Sequence, residues 1–256
     1  MATRLPEEDD ALRARKKATR GEVRAALRAM SEEEMASQSA AIGRAVVETL
    51  AAFRAPAASA TAARPVRLGL YVHCAKLREV DTTPLLDAAL ALRHAEVYVP
   101  IVDPPGAGDD ATPVAAPSMR FLRVRSLARD LEPKTMGILE PKEFLDDGVT
   151  PRENLEDAGF DPPLDVLLIP GLAFETSGAR LGRGGGFYDA FLERYRRGCR
   201  RAGANTPPTL ALAFAPQVLA PGAVPAAAHD QPVDALATPD GIVACTNAGR
   251  RLVEGG

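Results

Sequence analysis

Apolar positions recur at helical spacing near the start of the chain and at strand spacing through its middle. From Ala11 to Met30, Val23, Leu27 and Met30 form an apolar stripe, while Lys16, Arg20, Arg24 and Arg28 repeat every four residues on another face. A second helix opens with a capping box, Ser31 at the N-cap and Glu34 three residues on, with Met30 and Met35 spaced to staple it. Ile42, Val46, Leu50 and Phe53 continue its buried side. The stretch 55–65, APAASATAARP, carries little side-chain mass and reads as a flexible surface loop. Val66–Val72 then reads as a strand, Pro84–Arg93 as a helix begun by proline, and Ala95–Val102 as the next strand. After a Pro/Gly/Asp-rich surface loop at 104–117, Met119–Arg125 alternates like an edge or half-buried strand. Asp165–Ile169 is a compact apolar run stopped by Pro170, Phe187–Arg200 a strong helix, and Thr209–Ala215 another buried strand. A last strand falls at Ala235–Thr238 or at Ile242–Cys245. This alternation predicts one α/β domain over 1–256, a three-layer α/β/α open sheet, mostly parallel and Rossmann-like, with residues 1–10 flexible and the N-terminal helix pair packed on the sheet.

Composition narrows the class. Hydrophobic residues make up 46% of the 256, enough for a continuous core, and 25% are charged. Thirty-one Lys and Arg against 34 Asp and Glu leave a net charge of −3, which gives no reason to expect nucleic acid as a partner. Apolar stretches are too short and too often interrupted for a membrane span, and the acidic start MATRLPEEDD lacks the apolar segment of a signal peptide. Cys74, Cys199 and Cys245 are odd in number and widely spaced, so they frame neither a disulfide scaffold nor a metal knuckle. His73, His94 and His229 lack zinc-like spacing.

The chemistry concentrates in Asp165–Arg197, where a buried strand enters a glycine-bearing loop and then an amphipathic helix. Gly182, Gly184, Gly185 and Gly186 permit close backbone approach, and their amides with the following helix start form a site for anions. Arg180 and Arg183 add positive charge suited to phosphate oxygens. The loop is no P-loop, since no Gly-Lys-Ser/Thr follows, and it lacks the G-x-G-x-x-G spacing of a dinucleotide site. Asp189, three residues after Gly186, is placed either to hold Mg²⁺ against phosphates or to complement the helix dipole. On the residues alone, the glycines read equally as a structural turn, and the basic row of the first helix as a solvated surface.

LGRGGGFYD at 181–189, preceded by PGLAF at 170–174, resembles the signature of the 5-formyltetrahydrofolate cyclo-ligases, also called methenyltetrahydrofolate synthetases. The basic first helix (Lys16-Lys17-Ala18-Thr19-Arg20, then GEVRAALRAMS), MRFLRV at 119–124 with GILEP at 137–141, and ALAF at 211–214 with HDQPVD at 229–234 agree in order over roughly 15–240. Glu175 stands where the family usually has Asp, and Phe187 replaces the first Tyr of the frequent GYYD form. The resemblance implies ATP- and Mg²⁺-dependent cyclisation of 5-formyltetrahydrofolate, with or without a polyglutamate tail, to 5,10-methenyltetrahydrofolate, giving ADP and phosphate. It implies that Lys16 and Arg183 are catalytic, and that Lys16, Arg20, Arg180, Leu181, Gly182, Arg183, Gly184, Gly185, Gly186, Phe187 and Tyr188 hold ATP. Asp189 and Asp230 would hold the metal, while Glu79, in REVDTT, would contact the polar pterin edge beside Phe187 and Tyr188. It further implies a monomer in the cytoplasm, or in the mitochondrial matrix if a presequence is absent from this chain. Two other readings stay open: a different ATP-dependent ligase or small-molecule kinase, and a non-catalytic protein on the same scaffold.

Overall fold

The computed structural model describes residues 6–54, 64–103 and 118–254. The expected loop at 104–117, most of the loop at 55–65 and residues 1–5 lie outside them. The elements run α1 (Pro6–Ala29), α2 (Glu32–Arg54), β1 (Val66–Gly69), α3 (Thr83–Ala91), β2 (Ala95–Val102), β3 (Met119–Val124) and α4 (Leu127–Asp130). Then follow β4 (Leu131–Pro133), β5 (Leu139–Pro141), β6 (Val166–Ile169), β7 (Ala173–Phe174), β8 (Arg180–Leu181), α5 (Phe187–Arg201), β9 (Thr209–Leu212), β10 (Ala235–Thr238), β11 (Gly241–Ala244) and α6 (Asn247–Glu254).

Seven strands form one sheet in the order β11-β10-β9-β6-β1-β2-β3. The five central strands are parallel, and β3 and β11 close the edges antiparallel. Alternate residues of each strand feed opposite layers. Val166 and Leu168 of β6, Leu210 and Leu212 of β9, and Ala235 and Ala237 of β10 pack with Val23, Leu27, Ile42, Val46, Leu86 and Leu252 from α1, α2, α3 and α6. Leu167, Ile169, Ala211 and Leu236 face the other way onto Phe191, Leu192, Tyr195 and Cys199 of α5. There Phe191 lies 4.6 Å from Phe121 and stacks on Tyr195 at 5.5 Å, measured between ring centres. This is the mostly parallel three-layer arrangement that the sequence predicts.

The departures have local causes. α1 reaches back to Pro6, so half of the stretch expected to be flexible is helical; Pro6 at the first position and the acidic Glu7, Glu8, Asp9 and Asp10 suit a helix start. The α2 capping box forms, with Ser31 N donating to Glu34 Oε2 at 2.7 Å and Glu34 N to Ser31 Oγ at 3.1 Å. Ile42 and Val46 are buried as expected, whereas the Phe53 side chain lies outside the described residues. β1 stops at Gly69 rather than Val72, because the chain turns into a loop stapled by buried Thr82, whose hydroxyl donates to Tyr71 O at 2.8 Å and accepts from His73 N at 3.0 Å. Both candidates for the last strand exist, paired as the β10–β11 hairpin.

β1 leads rightward to β2, whereas β6, β9 and β10 extend the sheet to the left. The direction of winding reverses between β1 and β6, and ligands of open α/β sheets bind in the crevice beyond the carboxyl ends of strands at such a reversal. The loops leaving β1 and β6 carry Glu79 and Gly182–Gly186 respectively.

Candidate active site

Beyond β6, PGLAF is held from beneath by Gln217, which is buried and donates through Nε2 to Gly171 O and Leu172 O, both at 3.1 Å, while accepting from Phe214 N. The short β7–β8 hairpin then presents Gly182–Gly186. Gly184 has φ +118° and Gly186, the N-cap of α5, φ +72°, a region closed to most side chains. A Cβ on Gly185 would lie 2.7 Å from the Phe187 ring, so this glycine makes room for the aromatic that covers it.

A cavity of about 330 Å³ opens between this loop, α1, the start of α5 and the 229–230 segment. Lys16, Arg20, Gly182, Gly184, Gly186, Asp189, Glu193 and Asp230 are among its walls. Lys16 Nζ donates to Asp230 Oδ2 at 2.5 Å, joining residues 214 positions apart. Arg20 Nε donates to Gly182 O at 2.9 Å, and Arg24 Nη2 to Arg183 O at 3.3 Å. The basic row is thus no simple solvated face: three of its four members reach the site, and Arg28 stays exposed.

Burial and the neighbouring Arg24 charge hold the Arg20 pKa below its ordinary value, opposed by Asp230; the guanidinium stays charged and short of counter-ions. Burial pushes the Asp230 carboxyl upward, but hydrogen bonds from Lys16 and from Ala227 N outweigh it and hold the pKa below the usual carboxylate range.

Arg180 and Arg183 take different places from those expected. The Arg180 side chain, 2% exposed, is buried rather than mobile: Nη2 pairs with Asp189 Oδ1, Nε reaches Gln231 O and Nη1 Pro170 O, both at 3.4 Å. Burial on β8 commits its charge to holding Asp189 in place. Arg183 donates through Nε to Glu79 Oε1 at 3.0 Å and through Nη2 to Leu77 O at 2.7 Å, while Glu79 Oε2 accepts from Cys74 N at 2.9 Å. Its guanidinium therefore belongs to the β1 side of the crevice, whereas Lys16 and Arg20 line the cavity beside the glycine loop.

Among the described residues no three His, Cys, Asp or Glu side chains gather into a protein-only metal cage. A magnesium ion that keeps water and binds phosphate needs only one or two carboxylates. Asp189 and Asp230 fit that demand: they line one cavity with Glu193, and Asp189 Oδ2 has no hydrogen-bond donor among the described residues. Polyphosphate alone would meet three carboxylates there, a repulsion that a divalent cation removes.

The sequence model of the 5-formyltetrahydrofolate cyclo-ligase family matches residues 12–239. The chain belongs to this family. A mitochondrial 5-formyltetrahydrofolate cyclo-ligase of Arabidopsis thaliana is 35% identical over 94% of this chain and 79% of its own length. The Escherichia coli cyclo-ligase is 34% identical over 46% of this chain and 53% of its own length. A solved 5,10-methenyltetrahydrofolate synthetase from Mycoplasma pneumoniae shares the fold at a TM-score of 0.54 and 18% identity, over 88% of this chain and 98% of that one.

Sequence reasoning missed the placements of Glu193, Gln217 and Tyr71. The first two lie outside the quoted motif blocks. Tyr71 was hidden by strand alternation, which places it opposite Leu70; because β1 ends at Gly69, Leu68, Leu70 and Tyr71 all join the same core layer.

Proposed function

We propose that this protein cyclises 5-formyltetrahydrofolate to 5,10-methenyltetrahydrofolate with ATP and Mg²⁺, releasing ADP and phosphate. The observation that carries the reading is the meeting of Lys16 from the first helix and Asp230 from the far end of the chain across the cavity walled by Gly182–Gly186. A scaffold without catalysis has no need to bring these groups together, and family membership favours the formylfolate over the substrate of another ligase or kinase.

A formamide carbonyl is a poor electrophile because nitrogen donates into it. Transfer of the γ-phosphoryl group to the formyl oxygen creates a leaving group; N10 then attacks the formyl carbon, the carbon–oxygen bond to phosphate breaks, and N10 loses its proton. Lys16 and Arg20 neutralise phosphate charge, and the loop amides with the α5 N-terminus orient the oxygens. Asp189, held by Arg180 and the Gln231 amide, and Asp230 would carry Mg²⁺, which would supply further charge neutralisation. Glu79 and Tyr188, on the β1 side, face the pterin, and Phe187 shields the loop. Alignment of N10, formyl group and nucleotide is the main contribution of the fold.

The test follows methenyltetrahydrofolate formation by the purified protein with ATP and Mg²⁺ together and with each withheld. Product is expected only when both are present. ATP hydrolysis without folate product, or no product under full conditions, would overturn the reading.

A further inference from the structure

Four tyrosines divide into two pairs. Tyr98 donates to Glu153 Oε1 at 2.6 Å and accepts from Arg67 at 3.0 Å, and Tyr195 accepts from Leu164 N at 3.1 Å. These phenols are satisfied by the protein and serve the core. Tyr71 and Tyr188 differ: neither hydroxyl makes a hydrogen bond to any described residue. Tyr71 is only 3% exposed as a residue, yet its hydroxyl is not among the fully buried polar atoms left without a partner, so the tip of the ring stays open to a ligand.

Tyr71 and Glu79 are carried by the one loop leaving β1, where Cys74 N holds the Glu79 carboxylate, and the Glu79 charge acts on both phenols. Burial foremost, and then the Glu79 charge, raise the Tyr71 pKa well above the ordinary phenol value, so its hydroxyl stays a protonated donor at neutral pH. The Arg183 charge also acts on Tyr71 and only partly offsets this. The group therefore sets hydroxyl donors next to a carboxylate acceptor at the carboxyl end of β1. An adjacent donor and acceptor match an adjacent C=O and N–H, the pair that a lactam edge presents.

Resting on the proposed formylfolate reaction, we propose that Tyr71 is a substrate-binding residue that sets specificity on the pterin side: its hydroxyl donates to the lactam carbonyl oxygen while Glu79 accepts from the neighbouring N–H. Thr82 fixes the loop that carries both residues through its bonds to Tyr71 O and His73 N. The hydroxyl has no protein partner because its partner is the ligand.

The experiment compares Tyr71→Phe with Tyr195→Phe as a structural control. Each is measured for thermal midpoint, for 5-formyltetrahydrofolate affinity by calorimetry without nucleotide, and for ATP KM in turnover. Tyr71→Phe should hold or raise the midpoint, weaken 5-formyltetrahydrofolate binding about tenfold and leave the ATP KM within about twofold. Tyr195→Phe should lower the midpoint and leave folate affinity unchanged. Unchanged folate affinity in Tyr71→Phe, or a lowered midpoint with folate and ATP weakened alike, would overturn the assignment. A wild type that binds the formylfolate without cyclising it would refute the reaction and leave Tyr71 standing; tight binding by wild type and Tyr71→Phe alike would do the reverse.

Discussion

Glu175 shows how a buried carboxylate is held at the end of the PGLAF segment. The buried carboxylate accepts from Val224 N at 2.5 Å and from Ser177 Oγ at 3.0 Å. Desolvation pushes its pKa up, but these bonds and the Gly222 and Ala223 amides outweigh it and hold the group below its ordinary value. A depressed folded pKa adds stability that is full above the unfolded value near 4.5 and lost as pH falls through the lower folded value. Glu175→Gln should therefore destabilise by about 1–3 kcal/mol at pH 7. Urea titrations of both proteins should show that gap narrowing at pH 3; a gap independent of pH would show that the charge is immaterial. Asp189 carries a different double burden. Asp189→Asn should abolish the Mg²⁺ response of turnover and also lower stability by about 1–3 kcal/mol, because it strips the buried Arg180 of its counter-charge. Mg²⁺-titrated turnover and thermal unfolding read the two effects separately, and a normal response to Mg²⁺ would remove Asp189 from the metal site.

At the level of elements, α1 is a polar helix anchored at both ends of its buried stripe. Arg78, itself in the left-handed conformation at φ 53°, caps its C-terminus through Leu27 O and Met30 O, while Arg20 and Arg24 grip the loop before α5 and Lys16 bonds Asp230. Lys16→Ala and Arg20→Ala should each lower turnover roughly 10²-fold with the fold retained, because the helix keeps Val23, Leu27 and its cap. Steady-state kinetics checked against circular dichroism decide this, and near-native turnover in both variants would release the helix from the site. The legible parts of the protein were those written locally. The stripe of α1, the Ser31–Glu34 box and the apolar runs of β2, β6 and β9 follow from near-neighbour spacing. The β7–β8 and β4–β5 hairpins, of two and three residues per strand, were not legible, because pairing across the fold decides such short strands. The candidate site was legible through its motif residues; the roles of Arg180 and Arg183 were not, since charge alone does not say which carboxylate a guanidinium will meet.

Across the whole molecule, Arg183 ties three parts of the crevice together. Its guanidinium holds Glu79 and the Leu77 carbonyl, its backbone oxygen accepts from Arg24, and its neighbours Gly182 and Gly184 wall the cavity beside α1. Occupancy of one half of the crevice should therefore alter affinity in the other, and by linkage the effect must be reciprocal. In wild type, 5-formyltetrahydrofolate should tighten binding of a non-hydrolysable ATP analogue several-fold, and Arg183→Gln should erase that factor while each ligand still binds alone. Calorimetric titrations with and without the other ligand measure it, and an undiminished factor in the variant would place the coupling elsewhere.

The bond between Lys16 and Asp230 also has a meaning in time. A ribosome adding about 5–20 residues per second makes the lysine roughly 10–40 s before its partner. Through that interval α1 lacks its carboxylate, and through most of it the glycine loop that its arginines grip. The nascent chain can assemble β1, β2 and their helices early, yet the wall that Asp230 gives the cavity arrives only with about the last tenth of the polypeptide, so a chain cut short before Asp230 should leave the ribosome with much of its sheet and an incomplete cavity.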